Sequence, residues 1–166
     1  MKKGIVAFAF GRDYNLNSNL QIAQIASDTA LEQNIPVYTQ PDVLLREGVE
    51  AEYISCQADE KQPSTLEMAR QAIFWAKNQK INNLLVVAAK PHMKRCVRDL
   101  THSAKKIGIK IKIEQPKIPP LQWFYTESKQ KHTRSFWQWW SREIILRLLP
   151  FHIYKYIINR YGQKTT

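Results

Sequence analysis

The chain is poor in the residues that mark several common functions. Cysteine occurs twice, as Cys56 and Cys96, without metal-ligand spacing and without a small scaffold to staple, which points to a reduced, cytosol-facing setting. Glycine occurs five times. No G-x-G-x-x-G or Walker-type loop is present, so a standard dinucleotide or P-loop site is not expected. No window approaches the roughly eighteen uninterrupted apolar residues of a membrane span. The opening MKKGIVAFAFGRD holds an apolar run of only six residues, too short for a signal-peptide core, and reads as a buried strand. The four histidines show no ligand spacing: His102, His132 and His152 lie apart from one another, and no metal is expected.

What is present suits one globular domain. The 166 residues are 44% hydrophobic and carry no internal repeat, enough for a real core. The net charge of +11 is unevenly placed. Residues 1–89 balance to −2, whereas residues 90–117 and residues 129–166 each carry +7. Such segments favour an acidic partner or surface.

Hydrophobic patterning alternates strand with helix. Ile5–Phe10 reads as a strand and Asn19–Gln33 as a helix with apolar Leu20, Ile22, Ala23, Ile25, Ala26, Ala30 and Leu31. A short strand follows at 35–38, a short helix at 43–48 and a strand at 52–55. Ser64-Thr65-Leu66-Glu67 has the form of a capping box, a hydroxyl cap with Glu three residues on. The helix it opens runs to about Gln79 and turns Leu66, Ala69, Ile73, Phe74 and Ala76 inward. Leu84–Ala89 is apolar without alternation, as in the centre of a parallel sheet covered on both faces. Pro91 then sits at the start of a helix in which Met93, Cys96, Val97, Leu100, Ala104 and Ile107 recur at helical spacing, closed by Gly108. Ile109–Ile113 alternates like an edge strand. The expected fold is α/β: a three-layer Rossmann-like sandwich with a mostly parallel sheet of about five strands and C-terminal Trp-rich helices. The whole chain, 1–166, is then one domain, with a core at 1–115, a Pro-containing connection at 116–133 and a helical segment at 134–161.

In parallel sheets ligands bind beyond the carboxyl ends of the strands. Two such ends carry chemistry: Gly11-Arg12-Asp13 after the first strand and Lys90-Pro91-His92 after the central one. Cations in a first helical turn oppose the macrodipole, so His92, Lys94 and Arg95 can be chance surface placements. Alternatively, His92 and Arg95, nearly one turn apart, frame a pocket for a phosphate or carboxylate on the free N–H groups. Arg12 can clamp the same anion. Asp13, with Asp59 or Glu67, can converge on His92 if the first and central strands are neighbours, and such a pair can act as general base or acid. Thr65 is a candidate hydroxyl nucleophile, although a capping box alone explains Thr65 and Glu67. Cys96 lies on the apolar helix face and reads as buried and inert.

LLVVAAKPHMKRCV resembles the strand–turn–helix of the YdcF/SanA/ElyC-like family of bacterial proteins, in which His and Arg flank a variable pair. DEKQPSTLEMAR is similar to a second segment of that family, placing Asp59, Thr65 and Glu67 at motif positions. The family's glycine-rich first turn reads Phe10-Gly11-Arg12-Asp13 here, and its Ser-Gly-Gly after the second strand reads Thr39-Gln40-Pro41-Asp42. The resemblance implies a Rossmann-like fold and a role in bacterial cell-envelope metabolism, with S-adenosylmethionine as a cofactor suggested for some members. Side chains in place of those glycines would hinder close approach of a phosphate to the backbone.

The last third holds Trp123, Trp137, Trp139 and Trp140, with Pro116, Pro119 and Pro120 before them. A helix at 135–149, broken by Pro150, precedes a shorter one. Its tryptophans either cover the sheet as core or form an interfacial belt, in which Trp137, Trp139, Trp140, Arg142 and Arg147 meet anionic lipid. An intermediate outcome docks the helix and leaves some aromatics exposed. The corresponding location is cytoplasmic, or peripheral on the inner face of the plasma membrane. Basic charge interleaved with aromatics also suits nucleic acid, but no nucleic-acid-binding signature is present. The leading expectation is a small anionic ligand bound between the first and central strand ends; the competing one is a non-enzymatic peripheral membrane protein.

Overall fold

The computed structural model describes residues 1–54, 63–116, 118 and 121–161. Five strands form one sheet: β1 (Lys3–Ala7), β2 (Val37–Thr39), β3 (Ala51–Tyr53), β4 (Asn83–Val87) and β5 (Lys112–Glu114). Their order is β3-β2-β1-β4-β5, and every pairing is parallel. Helices α1 (Asn17–Gln33), α2 (Thr65–Asn78) and α3 (Lys90–Ile107) connect them, and α4 (Phe136–Leu148) and α5 (Phe151–Tyr161) follow the sheet.

Two apolar layers explain the lack of alternation in β4, all five of whose residues are buried. Val6, Phe8, Leu84 and Val86 face Met68, Ala72 and Ile73 of α2 and Cys96 and Leu100 of α3. Ile5, Ala7, Leu85 and Val87 face Ile22, Ala23 and Ala26 of α1 on the other side, where Trp123 and Trp139 complete the layer. The Rossmann-like α/β sandwich is thus realised, with an all-parallel sheet. Ser64 caps α2 by accepting from the Glu67 N–H at 3.2 Å. Gly108 ends α3 in the left-handed region at φ 74°.

Several local expectations are corrected. No helix forms at 43–48, where the chain turns instead; Val43 is buried while Leu44 stands out, so that apolar cluster marks one anchored side chain. Pro91 is the second residue of α3, one later than expected. The edge strand begins at Lys112 rather than Ile109. Phe74, Leu20 and Leu31 are exposed, because the small residues Ala72, Ala76, Ala23 and Ala26 already let these helices lie close on the sheet.

The C-terminal segment takes the intermediate arrangement. Trp139 is 4% exposed and packs into the sheet layer, whereas Trp137 is 72% and Trp140 49% exposed. Trp139 therefore belongs to the core and not to an interfacial belt: its indole lies 4.7 Å from the Phe10 ring and 5.3 Å from the His92 ring, centroid to centroid. Helix α5 is held by Tyr154, whose hydroxyl donates to buried Asp99 of α3 at 2.5 Å. Arg98 lies over the Tyr154 ring at 4.0 Å.

Candidate functional site

Because β1 and β4 are adjacent, the two chemically marked strand ends meet at the point where the strand order reverses. There a cavity of about 1,090 Å³ opens, at the upper end of small-molecule sites. Its floor is Phe8–Arg12 after β1, with Gln40 beyond β2. Thr65 at the start of α2 and His92 and Arg95 on α3 form one wall. The opposite wall comes from the C-terminal segment: Lys129 to Thr133, then Trp139, Ser141, Arg142, Ile145 and Leu146 of α4 and Ile157 of α5.

The floor is held by buried amides. Asn19 of α1 accepts from the Phe10 N–H at 2.8 Å and donates to the Asp13 carbonyl at 2.9 Å, and Gln40 accepts from the Ala9 N–H at 2.9 Å. Gly11 sits at φ +98°, and a Cβ there would lie 2.6 Å from Leu16 Cδ2 and 2.9 Å from Ser128 Oγ. Only glycine meets both demands.

His92 and Arg95 act as a pair. Arg95 Nη2 lies 3.2 Å from His92 Nδ1. A guanidinium only donates, so Nδ1 is the acceptor and the neutral ring carries its hydrogen on Nε2. That Nε2 is 3.4 Å from Thr65 Oγ1, a long contact. Burial holds the His92 imidazole well below its ordinary range, and the charges of Arg95, Arg142 and His132 push the same way. Neutral His92 is a hydrogen-bond donor into the cavity rather than a cation. Arg95 itself stacks on Trp139 at 5.0 Å and pairs with Glu143 of α4 at 3.3 Å. Its Nε and Nη1 nonetheless make no hydrogen bond among the described residues.

Charge dominates the remaining lining. Arg12, Arg95, Lys129, Lys131 and Arg142 all face the cavity, and among the described residues no Asp or Glu lines it. Burial and the proximity of Arg95 draw the Arg142 guanidinium down to about 10, and burial with Arg142 and Arg95 draws His132 down to about 3. Both shifts come first from burial and then from neighbouring positive charge, with Glu143 pulling Arg142 the other way.

The sequence-based candidates divide. His92, Arg95, Thr65 and Arg12 come together in the cavity. Asp13 does not line it: Lys129 Nζ holds its carboxylate at 2.9 Å and keeps it below the usual range. No hydrogen bond or ion pair joins Asp13 to His92 among the described residues. Glu67 turns to Arg70 and Gln71, at 2.9 Å each, and is also outside the lining. Asp59 and Cys56 lie outside the described residues. Cys96 is buried, and burial pushes its thiol well up, in keeping with an inert core residue. Arg142, expected on lipid, faces the cavity instead; nothing is described of the Arg147 side chain. Lys129, Lys131, His132 and Glu143 were not singled out in the sequence. The only signal for them was the +7 of residues 129–166, which carries no register.

Fold and lining together define a Rossmann-like α/β domain with a cationic cavity at its topological switch point, lined by no carboxylate among the described residues. No protein-family model matches the sequence, and no curated protein or solved structure is detectably similar to it. Among the described residues, no helix is long and apolar enough to cross a membrane.

Proposed function

We propose that this protein binds a small phosphate- or carboxylate-bearing ligand in the cavity between the ends of β1 and β4. The observation that carries this reading is the lining: five Arg and Lys side chains and two neutral histidines, with no carboxylate among the described residues. Arg95 and Lys129 already face Glu143 and Asp13, so an entering anion would meet chiefly the charge of Arg142 and Lys131, and each charge-assisted hydrogen bond then contributes roughly 1.5–3 kcal/mol. The His92 Nε2–H, the Arg95 Nε–H and the Arg142 guanidinium are the donors with capacity to spare. The wall of Ile145, Leu146 and Ile157 suits an apolar portion of the same ligand.

S-adenosylmethionine fits this lining poorly, because its sulfonium would be brought among five cations. The motif resemblance supplies a setting, bacterial envelope metabolism, and makes phosphorylated lipids and sugars the first compounds to try.

The test is a thermal-shift series at low salt with sulfate, inorganic phosphate, sugar phosphates, isoprenyl phosphates, short carboxylates and S-adenosylmethionine, on wild type and Arg142→Gln. A ligand at about 100 times its Kd stabilises by roughly 2.7 kcal/mol, a rise of about 5–10 °C for a chain of this size. The rise should shrink in Arg142→Gln. No shift with any anion, or equal shifts in both proteins, overturns the proposal.

A further inference from the structure

The outward side of α4 has no packing partner among the described residues. Trp139, Glu143 and Leu146 point inward and are buried. Trp137, Trp140, Ile145 and Leu148 occupy the opposite side, exposed by 72%, 49%, 60% and 79%. Trp137 meets Trp140 edge-on at 6.2 Å and Phe136 at 5.6 Å, so the aromatics form a connected ridge. Leaving four such side chains in water is unfavourable, and a contiguous patch of this kind marks an interaction surface.

Charge selects the occupant. Glu143 is the only acidic residue between 129 and 161, and it is turned inward against Arg95. The outer surface of this segment therefore offers aromatics, aliphatics and the exposed cations Lys131, Arg134 and Lys155, with no carboxylate. A second copy would set two segments of +7 against each other, which repels. An anionic bilayer surface satisfies both features: indoles rest at the headgroup boundary while Lys and Arg meet the lipid charge. We infer that the α4 ridge docks this protein on the surface of an anionic membrane, lying on it and not spanning it. Ile145 belongs both to the ridge and to the cavity wall, so the docked face adjoins the cavity rim.

The experiment is flotation of the full chain with vesicles of phosphatidylcholine alone or mixed with phosphatidylglycerol, beside the triple variant Trp137→Ser, Trp140→Ser, Leu148→Ser. None of the three lines the cavity, so sulfate binding and the far-ultraviolet circular dichroism should be unchanged and serve as the folding control. Wild type should float with the mixed vesicles and not with phosphatidylcholine, with a blue shift of tryptophan emission. The triple variant should partition about tenfold or more weakly. Absence of flotation at low salt overturns the inference, as does equal flotation of the variant, which would make the attraction one of charge alone. Concentration-dependent dimerisation that the variant abolishes would assign the ridge to a second copy instead. Because sulfate binding is read separately, failure of the ridge and failure of the cavity are distinguishable.

Discussion

Arg95 of α3 and Glu143 of α4 form an ion pair at 3.3 Å whose side chains are 5% and 4% exposed. The pair joins two helices whose partner residues lie 48 positions apart in sequence. It also fixes the guanidinium that holds His92 and stacks on Trp139. Removing one member of a buried pair leaves the other uncompensated. Glu143→Gln should therefore lower stability by roughly 3–5 kcal/mol, seen as a fall of about 6–20 °C in the unfolding midpoint. Added sulfate should recover part of the loss, by replacing the missing negative charge beside Arg95.

Arg142 predicts the opposite balance. It faces the cavity and has no hydrogen-bond partner among the described residues, so Arg142→Gln removes a repulsion from Arg95 that is partly offset by attraction to Glu143. Stability should change by no more than about 0.5 kcal/mol, while affinity for a phosphate-bearing ligand falls about 10–100-fold. Calorimetric titration and thermal unfolding of the same preparation read both.

His132 gives a pH prediction with a definite sign. Its imidazole is near 3 in the folded protein and about 6.5 in the unfolded chain. Below 6.5 the unfolded chain takes up the proton first, so this group's contribution is complete above that value and is lost as pH falls toward 3. Relative to His132→Asn, wild type should lose stability progressively between about pH 6.5 and 4. Buried Asp99 is shifted upward and works in the other direction, which is why the comparison with the variant is the relevant one. An anion held beside His132 would raise its value, so sulfate affinity should increase as pH falls below about 5, and that increase should flatten in His132→Asn.

Gly11 is the most constrained glycine in the floor. Gly11→Ala would force a Cβ against Leu16 and Ser128 at positive φ, costing roughly 1–3 kcal/mol. The strain falls on the cavity floor, so ligand affinity should drop along with the unfolding midpoint.

Much of this architecture was legible from local pattern. The unalternating Leu84–Val87 run, the Ser64 cap and the regular apolar spacing of α3 each depend on near neighbours in sequence, and each fixed an element that the structure contains. His92 and Arg95 were legible for the same reason, since a strand end followed by a helix start is a local signature. Their partners were not. Trp139, Glu143, Arg142 and His132 reach the site only through the packing of the C-terminal segment, a contact between segments some 40–50 positions apart that no period of 2 or 3.6 encodes. Trp139 shows the difficulty in one residue: it is two positions from Trp137 with the same chemistry, and only the rotation of α4 decides which indole is buried. Asp13 is a different case: its partner Lys129 comes from a stretch with no periodicity.

The division of the cavity between early and late parts of the chain has a consequence for synthesis. Residues 8–12, 65, 92 and 95 leave the ribosome well before residues 129–157. During that interval Arg95 lacks Glu143, and one face of the sheet lacks the indole of Trp139. Of the five lining cations only Arg12 and Arg95 belong to this earlier part, so the charge of the cavity is completed last, when the C-terminal segment closes over the sheet.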